Sequence, residues 1–170
     1  DFDHILLVED DLKDAKLIKA ILNSDKAIFT IVETGEKAIA LALNNKFDMI
    51  ILDVLLPDMN GLEVYEQIKH IQAYQYVPVV FVTGISDHEF KIRCLELEAN
   101  DFFVKPINGM EFKTKIQSLL KNKIYVEKLE GYYQNAVDSA IKDGLTGLYK
   151  RSYFIMCLEQ EIKRINRHHD

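Results

Sequence analysis

Acidic residues follow two short apolar runs of the chain. Glu9 and Asp10 follow residues 4–8, and Asp53 follows residues 49–52. A short, continuous apolar run closed by turn residues is typical of a strand that is buried on both faces. A carboxylate at the end of such a strand is costly unless it has partners. Because hard oxygen ligands suit Mg²⁺, these residues predict a magnesium site. Asp10 and Asp53 are the expected direct ligands, Glu9 holds a metal-bound water, and the backbone carbonyl of Leu55 adds an oxygen.

Two other polar side chains follow later apolar runs, Thr83 after residues 79–82 and Lys105 after residues 101–104. Beside a shielded carboxylate, this set predicts phosphoryl transfer to Asp53 and an aspartyl phosphate. Lys105 would meet the phosphoryl oxygens as a point charge, and Thr83 would donate a hydrogen bond to another oxygen. Catalysis would then consist of positioning and charge neutralisation. The plainer alternative is a solvated acidic rim on an ordinary sheet.

The elements that position these side chains alternate between apolar runs and segments with helical spacing. Strands are predicted at 4–8, 27–32, 49–52, 78–82 and 101–104. Helices are predicted at 12–22, 36–44, 61–71 and, capped by Asp87, up to residue 97. This alternation indicates an α/β protein with a doubly wound parallel sheet, in the flavodoxin-like strand order 2-1-3-4-5. In that order the first and third strands are neighbours, so their terminal acids meet at one edge.

The chain changes character after Pro106. Residues 110–142 contain no proline and one glycine, Gly131, so they predict an extended C-terminal helix about 50 Å long. Part of it has the three-four spacing of a coiled coil, carried by Val126, Leu129, Tyr133, Ala136 and Ala140. The alternative is a helix folded back on the domain. We expect a domain at 1–121, a helical stalk at 122–142 and a further segment at 143–170.

Composition narrows the classes of partner. The net charge of −6 and the pI near 5.4 argue against bulk affinity for nucleic acid or anionic membranes. No apolar run reaches the roughly 18 residues of a membrane span, and the acidic start is unlike a signal peptide. Cys94 and Cys157 match no metal-binding spacing. We therefore expect a cytoplasmic protein with neither a nucleic-acid nor a membrane partner.

Four motifs carry a family resemblance: VEDD at 8–11, LDVLLPDMNG at 52–61, VTG at 82–84 and FVKP at 103–106. Residues 4–121 resemble the receiver domain of two-component response regulators. The resemblance implies Mg²⁺-dependent phosphorylation of Asp53 by a sensor histidine kinase or phosphotransfer protein, and a cis peptide bond before Pro106.

The same resemblance implies a switch. Thr83 would move to the phosphoryl group, and the aromatic residue three before the lysine, Phe102, would turn inward behind it. Phe102 lacks a hydroxyl, so this coupling would be steric. Gly84 stands where the family usually has alanine, and we expect the missing methyl to alter the phosphoryl lifetime. Reciprocal pairs in a homodimer are expected at Lys91, Asp101, Glu111 and Lys115.

Residues 143–154, DGLTGLYKRSYF, resemble the opening of the GGDEF domain of diguanylate cyclases, which commonly begins D-x-L-T-G-L-x-N-R. Lys150 stands where asparagine is usual. The match covers about 28 residues and lacks the metal-binding strand and glycine-rich signature of the family, so the chain as given is not expected to be an enzyme. The resemblance implies a parent protein that makes cyclic di-GMP from GTP under phosphorylation-controlled dimerisation. The alternative is a receiver whose coiled-coil stalk acts as a signalling scaffold.

Other classes fit the sequence less well. No G-x-G-x-x-G follows the first strand and no Walker A lysine loop exists, which argues against a nucleotide site. A flavin carrier needs a phosphate-binding loop where this chain has acids. An aspartyl phosphatase usually has a second aspartate two residues after the first, and Leu55 occupies that position. A DNA-binding regulator needs a basic reading helix, and none is visible.

Overall fold

The computed structural model describes residues 3–23, 27–84, 88–97, 99–143 and 146–167, with side chains throughout except at 88, 89, 91 and 160–167. Its contacts divide the chain into two units, Asp1–Tyr125 and Val126–Asp170. The first unit contains the sheet and most of the helices. The second contains the last part of one long helix and the helix that follows it.

The first unit is built on a five-stranded parallel sheet in the order β2-β1-β3-β4-β5, which confirms the predicted fold. The strands are β1 (Asp3–Val8), β2 (Ala27–Val32), β3 (Met49–Leu52), β4 (Val79–Thr83) and β5 (Asp101–Val104). All residues of β3 and β4 are buried, because helices cover both faces of the sheet. Two cores result, one on each face, and alternate residues of each central strand belong to alternate cores.

Six helices complete the described chain, together with a short 3₁₀ turn at Gln72–Tyr74. They are α1 (Leu12–Ile21), α2 (Gly35–Asn44), α3 (Gly61–Lys69), α4 (His88–Glu96), α5 (Gly109–Ile141) and α6 (Arg151–Arg167). The predicted third helix ran to residue 71, but it ends at Lys69 because the chain turns into the 3₁₀ segment. The predicted cap Asp87 lies outside the described residues.

The extended C-terminal helix is confirmed as α5, which is 33 residues long. Within the first unit it buries Phe112 and Ile116 in the core of one sheet face. Within the second unit its large side chains Leu129, Tyr132 and Tyr133 are 69–72% exposed. None of the described helices has the length and apolar character that a membrane crossing requires. The domain boundaries at 121 and 142 stay predictions.

In the second unit, described residues between α5 and α6 make local hydrogen bonds. The Asp143 carboxylate accepts hydrogen bonds from the Thr146 N–H and hydroxyl, both at 3.0 Å. Gly147 has φ +69°, a conformation that glycine adopts without strain. The Lys150 ammonium donates to the Ser139 carbonyl at 2.7 Å, in the last turn of α5. Lys150, which departs from the asparagine of the GGDEF pattern, therefore satisfies a carbonyl near the end of α5.

Candidate functional site

The register of the sheet brings the acidic residues together. Val8 of β1 pairs with Leu52 of β3, so Glu9 and Asp53 leave the sheet side by side. The ligand oxygens of Glu9, Asp10 and Asp53 all lie within 4.8 Å of one another. Glu9 and Asp53 are buried, whereas Asp10 is exposed. This cluster of hard oxygen donors fits a small divalent cation, as the sequence predicted for these three residues.

Lys105 reaches the cluster from the end of β5. Its backbone N–H donates to the Thr83 carbonyl at 2.9 Å, and its bond to Pro106 is cis, as the resemblance implied. The Lys105 ammonium lies 2.7 Å from Asp53 Oδ2 and 2.9 Å from Glu9 Oε2. Burial alone would lower the pKa of Lys105, but hydrogen bonds to carboxylates hold it above its usual range. The lysine is therefore a permanent cation beside Asp53.

Asp14 is a site residue that the sequence analysis missed. It lies in the first turn of α1, and its Oδ2 is 2.7 Å from the Lys105 ammonium. The only sequence signal was its position three residues after Asp11, which caps α1 by accepting from the Lys13 N–H at 2.7 Å. Spacing alone could not show that this turn of α1 faces Lys105.

Glu9 carries the electrostatic strain of the cluster. Burial, helped by the neighbouring Asp53 charge, raises its pKa to about 7 even though Lys105 opposes both effects. A carboxyl group in this state accepts either a proton or a cation near neutral pH. The raised pKa of Glu9 is thus a second physical reason why the cluster suits a bound cation.

The loop after β3 fixes the orientation of the Asp53 side chain. Asp53 Oδ1 accepts a hydrogen bond from the Leu55 N–H at 3.0 Å, and the Gly61 N–H donates to the Val54 carbonyl at 2.8 Å. A Cβ at Gly61 would lie 2.2 Å from the Asp53 carbonyl oxygen, so only glycine fits. A ligand contact from the Leu55 carbonyl stays a prediction.

Asp58 anchors the same loop to a neighbouring helix, which the sequence analysis also missed. Its carboxylate accepts hydrogen bonds from the Gly35 and Glu36 N–H groups, both at 2.9 Å, at the start of α2. The Glu36 and Gly35 N–H groups hold the pKa of Asp58 below its usual value. The Thr34 side chain, which caps α2, accepts only from the Lys37 N–H. The other N–H groups at the start of α2 therefore need partners from elsewhere in the chain.

The two residues of the predicted switch lie on one face of the sheet. Thr83 is fully buried at the end of β4, and Phe102 pairs in register with Phe81, two residues before Thr83. The Phe90 ring of α4 stands edge-on to the rings of both Phe81 and Phe102, with centroids 6.1 Å apart in each pair. A movement of the Phe102 ring would therefore change its contact with α4.

Two of the four predicted dimer residues pair with each other within one chain. Asp101 Oδ2 and Lys115 Nζ pair with each other at 2.9 Å. The side chain of Glu111 is exposed at the start of α5, and that of Lys91 lies outside the described set. A reciprocal pair between Asp101 and Lys115 across a dimer would have to replace the pair within the chain.

Comparison with known proteins agrees with the resemblance to receiver domains. Residues 5–117 match the family model for the response regulator receiver domain. Response regulator ArlR of Staphylococcus haemolyticus is 33% identical over 118 residues, which is 69% of this chain and 52% of the relative. Response regulator PleD of Caulobacter vibrioides is 30% identical over 125 residues, 74% of this chain and 28% of the relative. The chain thus spans about half, or less, of the length of these curated relatives.

Solved structures agree with the fold. The crystal structure of a CheY-like response regulator receiver domain protein from Methanospirillum hungatei superposes with a TM-score of 0.68 at 26% identity. The match covers 74% of this chain and 98% of that one.

Proposed function

The chain belongs to the response regulator receiver family, and from that membership we propose that it is phosphorylated on Asp53 by a sensor histidine kinase or phosphotransfer protein. One observation carries the proposal. The buried Asp53 carboxylate lies 2.7 Å from the Lys105 ammonium and within 4.8 Å of the Glu9 and Asp10 oxygens. A nucleophilic carboxylate, a permanent cation and a cation-binding cluster are thus within reach of one phosphoryl group.

The reaction is a transfer between two nucleophiles. A carboxylate oxygen of Asp53 attacks the phosphorus of a phosphohistidine. The new P–O bond forms as the P–N bond breaks, and the imidazole nitrogen leaves with the electron pair. Lys105 neutralises a phosphoryl oxygen throughout, while the Thr83 hydroxyl donates a hydrogen bond to another after transfer.

Glu9, Asp10, Asp53 and the Leu55 carbonyl are the groups that would hold Mg²⁺. The ion would supply positive charge that offsets the clustered carboxylates and the incoming phosphoryl oxygens. The raised pKa of Glu9 supports this assignment, because an uncompensated cluster otherwise gains a proton near pH 7.

Mass spectrometry after treatment with acetyl phosphate and Mg²⁺ tests the phosphoacceptor. We expect the wild-type chain to gain the mass of one phosphoryl group, and Asp53→Asn to gain none. Omission of Mg²⁺ should suppress the gain in the wild type. Equal modification of the Asp53→Asn variant, or an unmodified wild type, would contradict the proposal.

We propose further that phosphorylation repacks the face formed by α4, β5 and α5 in a homodimer. The edge-on contact between Phe90 and Phe102 supports this, since a rotation of the Phe102 ring would change its contact with α4. Lys91, Asp101, Glu111 and Lys115 would set the register of the two copies. Exposed ion pairs contribute only ~0–1 kcal/mol each, so apolar contacts must supply most of the affinity.

The proposed output is a diguanylate cyclase that follows α5. The resemblance of residues 143–154 to the opening of a GGDEF domain supports it; this stretch begins after the end of α5 and runs into the start of α6. The competing proposal is a signalling scaffold without cyclase output. The gene sequence after residue 170 discriminates them: a G-G-[DE]-E-F stretch supports the cyclase, and a stop codon or an unrelated module counts against it.

A further inference from the structure

Three carboxylates surround the Lys105 ammonium within ion-pair distance. Asp14 Oδ2 and Asp53 Oδ2 each lie 2.7 Å from Nζ, and Glu9 Oε2 lies at 2.9 Å. A lysine ammonium has three donors. The phosphoacceptor therefore shares its cation with two other acids, and a phosphoryl group on Asp53 has to compete with them for Lys105.

Asp14 differs from Glu9 and Asp53 in the element that holds it. The other two acids leave the carboxyl ends of β1 and β3, whereas Asp14 belongs to the first turn of α1. Asp11 fixes the start of that helix by accepting from the Lys13 and Asp14 N–H groups. A negative side chain in the first turn is also favoured by the helix dipole. Asp14 is thus held in place by a helix, whereas the other two acids stand at strand ends.

The contact between Asp14 and Lys105 is partly shielded from water. The side chains of Lys105 and Asp14 are 21% and 35% exposed. At this exposure an ion pair is screened but not abolished, and its charge still acts on an anion that arrives a few ångströms away. Hydrogen bonding to Asp14 also contributes to the raised pKa of Lys105, which agrees with a close contact.

We propose that Asp14 is a positioning residue that draws the Lys105 ammonium away from the phosphoryl group and thereby slows phosphorylation of Asp53. Its carboxylate forms an ion pair with the lysine and reduces the positive charge that the phosphodonor meets. The proposal rests on the proposed phosphorylation of Asp53. It adds a residue that sets the rate without touching the reacting atoms.

The test compares phosphorylation rates with acetyl phosphate and Mg²⁺, followed by mass spectrometry. Asp14→Asn keeps the shape of the side chain and removes its charge. We expect it to be phosphorylated roughly two- to fivefold faster than the wild type, the change expected from a partly exposed ion pair. Asp14→Ala should also be faster, and Asp14→Glu, which restores the charge, should return towards the wild-type rate.

Glu33→Gln is the matched control, because Glu33 is exposed just after β2 at the same edge and its substitution removes one charge. Its rate should stay near that of the wild type, with melting temperatures equal across the series. Rates for Asp14→Asn that equal or fall below the wild-type rate overturn the inference. A wild type that is not phosphorylated on Asp53 overturns the proposed function instead, so the two failures are distinguishable.

Discussion

Gly61 and Gly84, two glycines of the candidate site, meet opposite steric conditions. A Cβ at Gly61 would collide with the Asp53 carbonyl oxygen and the Val54 Cα, which are backbone atoms that cannot move aside. A Cβ at Gly84 would have nothing within 4 Å, and that residue is exposed. Gly61 is therefore required by the fold, whereas Gly84 leaves open space next to the site.

Gly84→Ala should lengthen the lifetime of the aspartyl phosphate without harming the fold. The added methyl narrows the path by which water reaches the phosphorus. We expect dephosphorylation to slow about twofold or more, and the free energy of unfolding to stay constant or rise by up to ~1 kcal/mol. Loss of phosphoryl mass with time measures the lifetime. Gly61→Ala, the comparison variant, should instead lower both the free energy of unfolding and the extent of phosphorylation. Equal aspartyl phosphate lifetimes for Gly84→Ala and the wild type would refute the proposed effect of the added methyl.

The residues that sequence reasoning found and missed differ in what positions them. Asp53, Thr83 and Lys105 stand at the carboxyl ends of strands, and a parallel sheet brings strand ends together whatever the surrounding helices do. Asp14 and Asp58 act across elements. Their partners depend on how α1 is rotated and where the β3–α3 loop runs, and neither rotation nor path is encoded in a local pattern.

At the scale of elements, an ion pair between Lys123 and Asp48 joins α5 to the amino edge of the sheet, opposite to the edge that carries Asp53. The Lys123 ammonium lies 2.7 Å from Asp48 Oδ1, and the Lys123 side chain is only 8% exposed. Asp48 Oδ2 accepts from the His4 N–H at 2.8 Å, and the Asp48 N–H donates to the His4 carbonyl at 2.7 Å. Asp48 therefore joins β1, the start of β3 and α5.

Lys123→Met should lower the free energy of unfolding of the first unit. The substitution keeps the apolar stem but leaves the Asp48 carboxylate without its cation. Breaking a buried pair is strongly destabilising, but Asp48 is about a third exposed, so we expect a discounted loss of ~1–2 kcal/mol. Urea denaturation followed by circular dichroism measures it. Lys121→Met, at an exposed position of the same helix, should have little effect, and equal losses in both variants would argue against the ion pair.

The same pair predicts a pH dependence. Burial would raise the pKa of Asp48, but the hydrogen bonds from Lys123 and the His4 N–H outweigh it and hold the pKa below its usual value. A carboxyl group with a lowered folded-state pKa stabilises the fold above its unfolded-state pKa, and this stability is lost as pH falls through the folded-state value. The wild type should therefore lose its advantage over Asp48→Asn below about pH 4. A difference that stays constant from pH 6 to acid would contradict this assignment.

At the scale of the molecule, the central strands β3 and β4 could be predicted from the sequence because they are buried on both faces and so are continuous apolar runs. β3 and β5 were predicted to the residue, while helix ends shifted by one or two positions where caps and the 3₁₀ turn decide them. The Asp48–Lys123 pair could not be predicted, since its partners are 75 residues apart and neither lies in a motif.

The second unit presents apolar side chains on α5 that have the spacing of a coiled-coil seam. Leu129 and Tyr133 are 71% and 69% exposed, and Val126 is 39% exposed. Three such residues on one helix face favour a second copy of the same helix, since the seam is self-complementary in a parallel pair. The stalk is therefore the part of the proposed dimer where apolar contact can supply affinity.

Leu129→Glu should weaken association of the chain in the presence of beryllofluoride and Mg²⁺, which mimic the phosphorylated state. Burying two leucines, one from each copy, contributes several times the ~1.4 kcal/mol that corresponds to a tenfold change in the dissociation constant. Losing them should therefore raise the dissociation constant at least about tenfold. Sedimentation velocity measures it, with Lys128→Glu as the control because Lys128 is exposed and lies off the seam. Beryllofluoride should have no effect on Asp53→Asn. If the wild type is already a tight dimer, Leu129→Glu must still dissociate it. An unchanged association state and shape in every variant would exclude a dimer formed through this part of α5. The exposed apolar residues Val126, Leu129 and Tyr133 would then make no contact between copies.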